Sequence, residues 1–198
     1  MKAIYTFFSV LCLICFTCCT ITIDFEDETG SFSAYVSATN TNDNVYQSNI
    51  TDCPSSIAKS AFEYAKLYAA SDTVYVLGAQ DPLRSIRIDC SGLVIMCYRY
   101  ALQNTGYSLI QSDMASYYMY EHACTRTNSP RRGDLIFMGD ANSSKISHVA
   151  IFDRFEGDQV YFIDSTSVGR DTGVSERHYS RSDRRIKAYG IMKLKQKY

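Results

Sequence analysis

Partway along this chain the spacing of its apolar residues changes, and that change limits the fold more than any other feature. From residue 54 to about 123 apolar positions recur at helical intervals, as in Ile57, Ala61, Ala65, Tyr68 and Ala69. Pro54-Ser55-Ser56-Ile57 opens this first helix, with proline in a tolerated first-turn position, and the helix should stop near Ser71-Asp72. Thr73 to Leu77 reads as a short extended piece closed by Gly78 and Asp81-Pro82. A second helix is expected from Cys90 to about Asn104, with Leu93, Val94, Cys97, Tyr100 and Ala101 facing inward and Gly106 at its stop. A third should cover Asp113 to about Ala123. After Gly133 the period shortens. Residues 133–138, 147–152 and 160–164 are β-type runs separated by turn residues, and the last two form a hairpin by spacing. Helices first and strands afterwards predict an α+β domain, its N-terminal helices packed on an antiparallel sheet.

The ends of the chain differ in charge. Met1-Lys2 precedes an uncharged apolar run to Cys19, so residues 1–19 read as an export leader. Tyr5, Thr6, Ser9 and Thr17 interrupt that run and make it a poor membrane span, although an N-terminal anchor is the alternative. Cys18 or Cys19 is the candidate for lipidation, in a loose fit to the lipoprotein pattern. Residues 20–52 are polar and acidic, a spacer with at most one edge strand, and residues 53–198 form the domain. Eight Lys or Arg lie between Arg177 and Tyr198 against a single Asp183. Alternation in Ile186-Lys187-Ala188-Tyr189-Gly190-Ile191 makes this a last strand with a basic outer face rather than a nucleic-acid tail. The formal net charge of −1 also argues against a nucleic-acid partner. A monomer in the cell envelope, or secreted, is expected.

Only Cys53, Cys90, Cys97 and Cys124 remain for the domain, without a Cys-x-x-Cys pair, so neither a zinc site nor any other cofactor is expected. Cys90 stands apart because it begins a helix. First-turn N–H groups and the positive end of the helix dipole favour thiolate over thiol there. Small neighbours, Ser91 and Gly92, let a substrate carbonyl approach, and the Cys90 N–H is placed to hold an oxyanion. Cys97, two turns on among apolar residues, reads as packing. A thiolate needs an imidazole, and of three histidines only His148 begins an apolar strand; His122 and His178 read as surface residues. Asp164, on the next strand of the hairpin, is the candidate to orient the imidazole, with a turn-capping role as the alternative.

At these residues the sequence resembles the NlpC family of cell-wall cysteine endopeptidases, which are papain-like in fold. Asp89-Cys90-Ser91-Gly92-Leu93-Val94 matches the family's nucleophile motif. Tyr75-Val76-Leu77-Gly78-Ala79 is similar to its upstream Tyr-x-x-Gly-Gly, with Ala79 in place of the second glycine. Pro130-Arg131-Arg132-Gly133-Asp134-Leu135-Ile136-Phe137 and Ser147-His148-Val149-Ala150-Ile151-Phe152 resemble two of its strands, and the likeness spans about residues 55–192. The resemblance implies Cys90 as nucleophile, His148 as base and Tyr75 lining the site, with Asp89, Ser91 and Gly92 beside the substrate. The third family position is usually His, Asn or Gln; here Phe162-Ile163-Asp164-Ser165 supplies a carboxylate. The implied activity is hydrolysis of amide bonds in peptidoglycan stem peptides, next to D-glutamate. The alternatives are an amidase or acyltransferase on another amide or ester, and an inactive surface-binding protein.

Overall fold

The computed structural model describes residues 49–83, 86–168 and 172–197. Most of the leader-and-spacer region, with Cys18 and Cys19, lies outside these residues. Among the described residues, three helices and eight strands are laid out in the order β1 (Ile50–Asp52), α1 (Ser55–Ala69), α2 (Cys90–Ala101), β2 (Tyr107–Leu109), α3 (Ser116–His122), β3 (Cys124–Thr127), β4 (Leu135–Met138), β5 (His148–Glu156), β6 (Gln159–Thr166), β7 (Gly173–Ser180) and β8 (Ile186–Gln196). The strands form one sheet, antiparallel at every named pairing, with the order β1-β8-β4-β5-β6-β7, and β2 and β3 also pair with β8. The architecture is the expected α+β one.

Several elements differ from the sequence reading. Pro54 is the N-cap of α1 rather than its first residue, and α1, α2 and α3 are each shorter than their apolar periods suggest. Residues 102–104 continue the α2 pattern as turns, ending at Asn104 with φ 59°. The strands do not simply follow the helices, since β1, β2 and β3 are interleaved with them. Each has three or four residues, too few for a period-2 signal. Val74 and Ile88 belong to isolated bridges rather than to a strand at 73–77. The stretch assigned to one basic last strand is two: β7, a polar edge strand, and β8, whose eleven residues join β1, β2, β3 and β4.

The central strands β4, β5 and β6 are buried on both faces over most of their length. Leu135, Phe137, Val149, Ile151 and Ile163 pack with α1 and α2, which contribute Ala58, Ala61, Ala65, Leu93, Val94 and Cys97. Ile136, Met138, Ala150, Phe152, Val160 and Phe162 form a second cluster covered by aromatic side chains. Phe155 and Tyr189 meet Phe152 edge-on, and Tyr179 meets Phe162 in the same way. Two buried faces explain why these strands read as continuous apolar runs. The α1–α2 layer against this rigid sheet fixes the start of α2 close to the start of β5.

Candidate active site

Asp89 builds the start of α2. Its extended backbone and side chain form the N-cap, and Oδ1 accepts the Gly92 N–H at 2.6 Å and the Ser91 hydroxyl at 2.9 Å. The other oxygen, Oδ2, accepts the Gly78 N–H at 2.7 Å, while the Asp89 N–H donates to the Ala79 carbonyl at 3.1 Å. One buried carboxylate therefore ties the loop carrying Tyr75 to the helix carrying Cys90. Asp89 and Ser91, expected beside the substrate, have bonds directed into this framework.

Gly92 is also confined by packing. A Cβ at Gly92 would lie 2.2 Å from the Ala79 carbonyl oxygen, a backbone atom that cannot swing away. We expect Gly92→Ala to push the loop at 78–80 off the helix and destabilise the protein by about 3 kcal/mol, read by chemical denaturation. A loss below about 1 kcal/mol would show that the loop yields.

His148, the first residue of β5, meets Asp164 of β6 at 2.5 Å through Nε2. Cys90 is within hydrogen-bonding reach of the same imidazole, whose remaining nitrogen is Nδ1. The three candidate residues are thus brought together from α2, β5 and β6. Burial opposes a charge on His148, but hydrogen bonds and opposite charges from Asp164 and Cys90 outweigh it and raise its pKa from 6.5 to about 9. Asp164 is fully buried. Burial raises its carboxyl, yet His148 and Arg177 more than reverse this and hold it below the usual carboxylate range. Ser165, next in β6, donates its hydroxyl to the Ile88 carbonyl at 2.7 Å and so braces the Asp164 strand against the approach to α2.

A cleft of about 370 Å³ opens over His148, with Tyr75, Thr166, Val168, Arg177 and Arg185 in its walls. Tyr75 forms one wall of this cleft, and burial, then the nearby Cys90 and Asp89 charges, raise its hydroxyl pKa. Arg177 is the residue that sequence reading missed. Its Nε donates to Asp164 Oδ1 at 2.8 Å, its Nη2 to Oδ2, and its Nη1 to the Tyr179 hydroxyl at 3.1 Å. The signal was available only through register. Pairing of Phe162 with Arg177 puts Asp164, Phe162, Arg177 and Tyr179 on one face by the two-residue period, once β7 is recognised as a strand.

The remaining candidates are elsewhere. His122 and His178 are exposed, on α3 and β7. Cys53, Cys97 and Cys124 are buried free thiols, and burial pushes Cys53 up to about 12 and Cys124 to about 11. Among the described residues no group of three or more His, Cys, Asp or Glu is placed to hold a metal ion, and no helix is long and apolar enough to cross a membrane.

A helix-start thiol set against an imidazole on an antiparallel sheet is the arrangement of the papain-like α+β class. Residues 72–186 match the NlpC/P60 family, and the chain belongs to that family. Its members are typically cysteine peptidases or amidases acting on peptidoglycan. Among curated proteins none matches. Among solved structures, Ly7917 is 12 % identical, with 68 % of this chain and 62 % of that chain covered and a TM-score of 0.48. Ly7917 with the hydrolysing product of MDP is 17 % identical with the same coverage and a TM-score of 0.45. An NLP/P60-family protein from Staphylococcus aureus subsp. aureus Mu50, described as similar to lipoprotein, is 23 % identical, with 80 % of this chain and 45 % of that chain covered and a TM-score of 0.45. This chain therefore spans about three-fifths of the first and less than half of the staphylococcal protein.

Proposed function

We propose that the protein is an exported cysteine endopeptidase that hydrolyses amide bonds in peptidoglycan stem peptides, next to D-glutamate. The observation that carries this reading is the Cys90 thiol within reach of a His148 imidazole whose other nitrogen is held by Asp164. The chemistry needs a thiolate and a proton donor side by side. The thiolate attacks the amide carbonyl, and the Cys90 N–H at the helix start holds the developing oxyanion. His148 gives its Nδ1 proton to the leaving amine as the C–N bond breaks. The thioester is then opened by water, which gives a proton to His148 as its oxygen bonds to carbon and the thiolate leaves. Family membership supports the peptidoglycan substrate. Export is supported by the charge and apolar pattern of residues 1–19, with Cys18 or Cys19 as the lipid-bearing residue.

Mass spectrometry of defined muropeptides digested with wild type and Cys90→Ala tests the reading. The expected result is one cleaved stem-peptide bond with wild type and none with the variant. Turnover of esters alone, or transfer to an added amine without hydrolysis, would point instead to an acyltransferase. EDTA should leave the rate unchanged.

The charge on His148 sets a pH limit. Because its pKa is raised, the charged pair is complete below the ordinary imidazole value of 6.5 and is lost as pH climbs through about 9. The kcat/KM profile should fall on its alkaline side near pH 9, and the contribution of this pair to stability should decline over the same interval. An alkaline limb near 6.5 would place the imidazole outside this pairing.

A further inference from the structure

A buried carboxylate is stable as an anion only while a cation or several donors face it. Asp164 is fully buried and has two cationic partners, His148 from β5 and Arg177 from β7. They are not equivalent. His148 alternates between imidazolium and imidazole during the cycle proposed above, whereas a guanidinium keeps its charge. At the thioester stage the His148 proton has left with the amine, and the carboxylate would face a neutral ring.

We propose that Arg177 is a positioning residue for the Cys90–His148 pair: its fixed guanidinium keeps the Asp164 carboxylate ionised and oriented while His148 is uncharged. The inference rests on the hydrolase reading for its place in the cycle, but the coupling itself is a property of the free protein. The guanidinium is held by bonds to both carboxylate oxygens and to the Tyr179 hydroxyl, and it sits over the Phe162 and Tyr179 rings, each at 5.5 Å. The fork engages both carboxylate oxygens and restricts rotation of Asp164, which fixes the oxygen presented to His148 Nε2. A second effect follows from the same geometry. Because Arg177 shares the carboxylate charge, Asp164 grips the imidazolium proton less tightly, and Nδ1 can release its own proton to a leaving amine. In this site the third residue acts as half of a Asp164–Arg177 pair rather than as a lone acid.

The groups that bear directly on the titration of His148 are Asp164 on β6 and Cys90 on α2, while Arg177 on β7 bears on Asp164 and acts through it. Removing Arg177 leaves the carboxylate charge to His148 alone, so losing the imidazole proton would create an unpaired buried anion. An NMR titration of the His148 imidazole in Arg177→Gln should therefore move its midpoint above about 9, by about one unit, with kcat lowered roughly tenfold or more. Arg177→Lys, which keeps the charge, should return most of the midpoint shift but less of the rate, because it cannot fork. A folded Arg177→Gln whose midpoint equals that of wild type overturns the proposal. If Arg177→Gln does not fold, the comparison is made on Arg177→Lys, which keeps the charge and loses the fork: it should hold the midpoint near that of wild type and lower kcat several-fold, and a folded Arg177→Lys with the kcat of wild type overturns the proposal. The titration needs no substrate. A wild type that titrates as expected yet cleaves no wall peptide therefore removes the hydrolase reading and leaves the Arg177 coupling standing.

Discussion

On the proposed hydrolase reading, Cys90→Ala and His148→Ala should each lower turnover of wall peptides by at least ~10⁴-fold while the fold persists. Both parts of this expected result come from the geometry. The thiol stands at the start of α2 beside the imidazole, and alanine there leaves no sulfur to form the proposed thioester. Its removal deletes one small buried atom and disturbs none of the Asp89 cap bonds. His148→Ala takes away the proton donor and acceptor of both half-reactions. It does not strand Asp164, which keeps Arg177 as its counter-ion. Both variants should melt within a few degrees of wild type and lose activity together. A His148→Ala protein that still cleaves stem peptides at a tenth of the wild-type rate would refute the dyad.

Gly133→Ala is expected to prevent folding or to destabilise the protein by more than about 4 kcal/mol. Three constraints meet at this residue. Its φ of 94° is one that L side chains rarely adopt, and an added Cβ would lie 1.9 Å from the Ala58 carbonyl oxygen and 2.2 Å from its carbon. Its N–H donates to the Phe152 carbonyl at 2.8 Å, and its carbonyl accepts the Tyr98 hydroxyl at 2.9 Å. No rearrangement relieves the overlap without separating α1 from the start of β4. Circular dichroism of the variant tests this, and a melting curve like that of wild type would show that α1 moves freely. Gly133 stands in the Pro130–Phe137 motif, so a residue that resembles part of an enzymatic signature is needed for packing.

The parts of the fold that were legible in the sequence are those with a long, strong period. The α1 face, the α2 face and the β5–β6 hairpin all rest on runs of several apolar residues, and each is present. Cys90, His148 and Asp164 were legible because each sits at a position its element defines: a helix start, a strand start and the facing strand of a hairpin. Arg177 was not. In Ser175-Glu176-Arg177-His178-Tyr179 the inward side chains are as polar as the outward ones, so period alone shows no strand. Its partner is known only after β6 and β7 are set in register. The role of Asp89 was obscured for a related reason. Its bonds to Gly78 and to the Ala79 carbonyl join segments ten or more residues apart, and a linear motif does not show which segment the carboxylate holds.

The dependence of the sheet on β8 has a consequence for how the molecule comes into being. Among the described residues β1, β2 and β3 have no other strand to pair with, and residues 186–196 follow every one of them in the chain. Until that segment leaves the ribosome, Ile50–Asp52, Tyr107–Leu109 and Cys124–Thr127 have no ladder to join, and closing it requires contacts across most of the domain. These three segments therefore find their places in the sheet only when synthesis is nearly finished, after the β4–β7 strands that pair among themselves have been made.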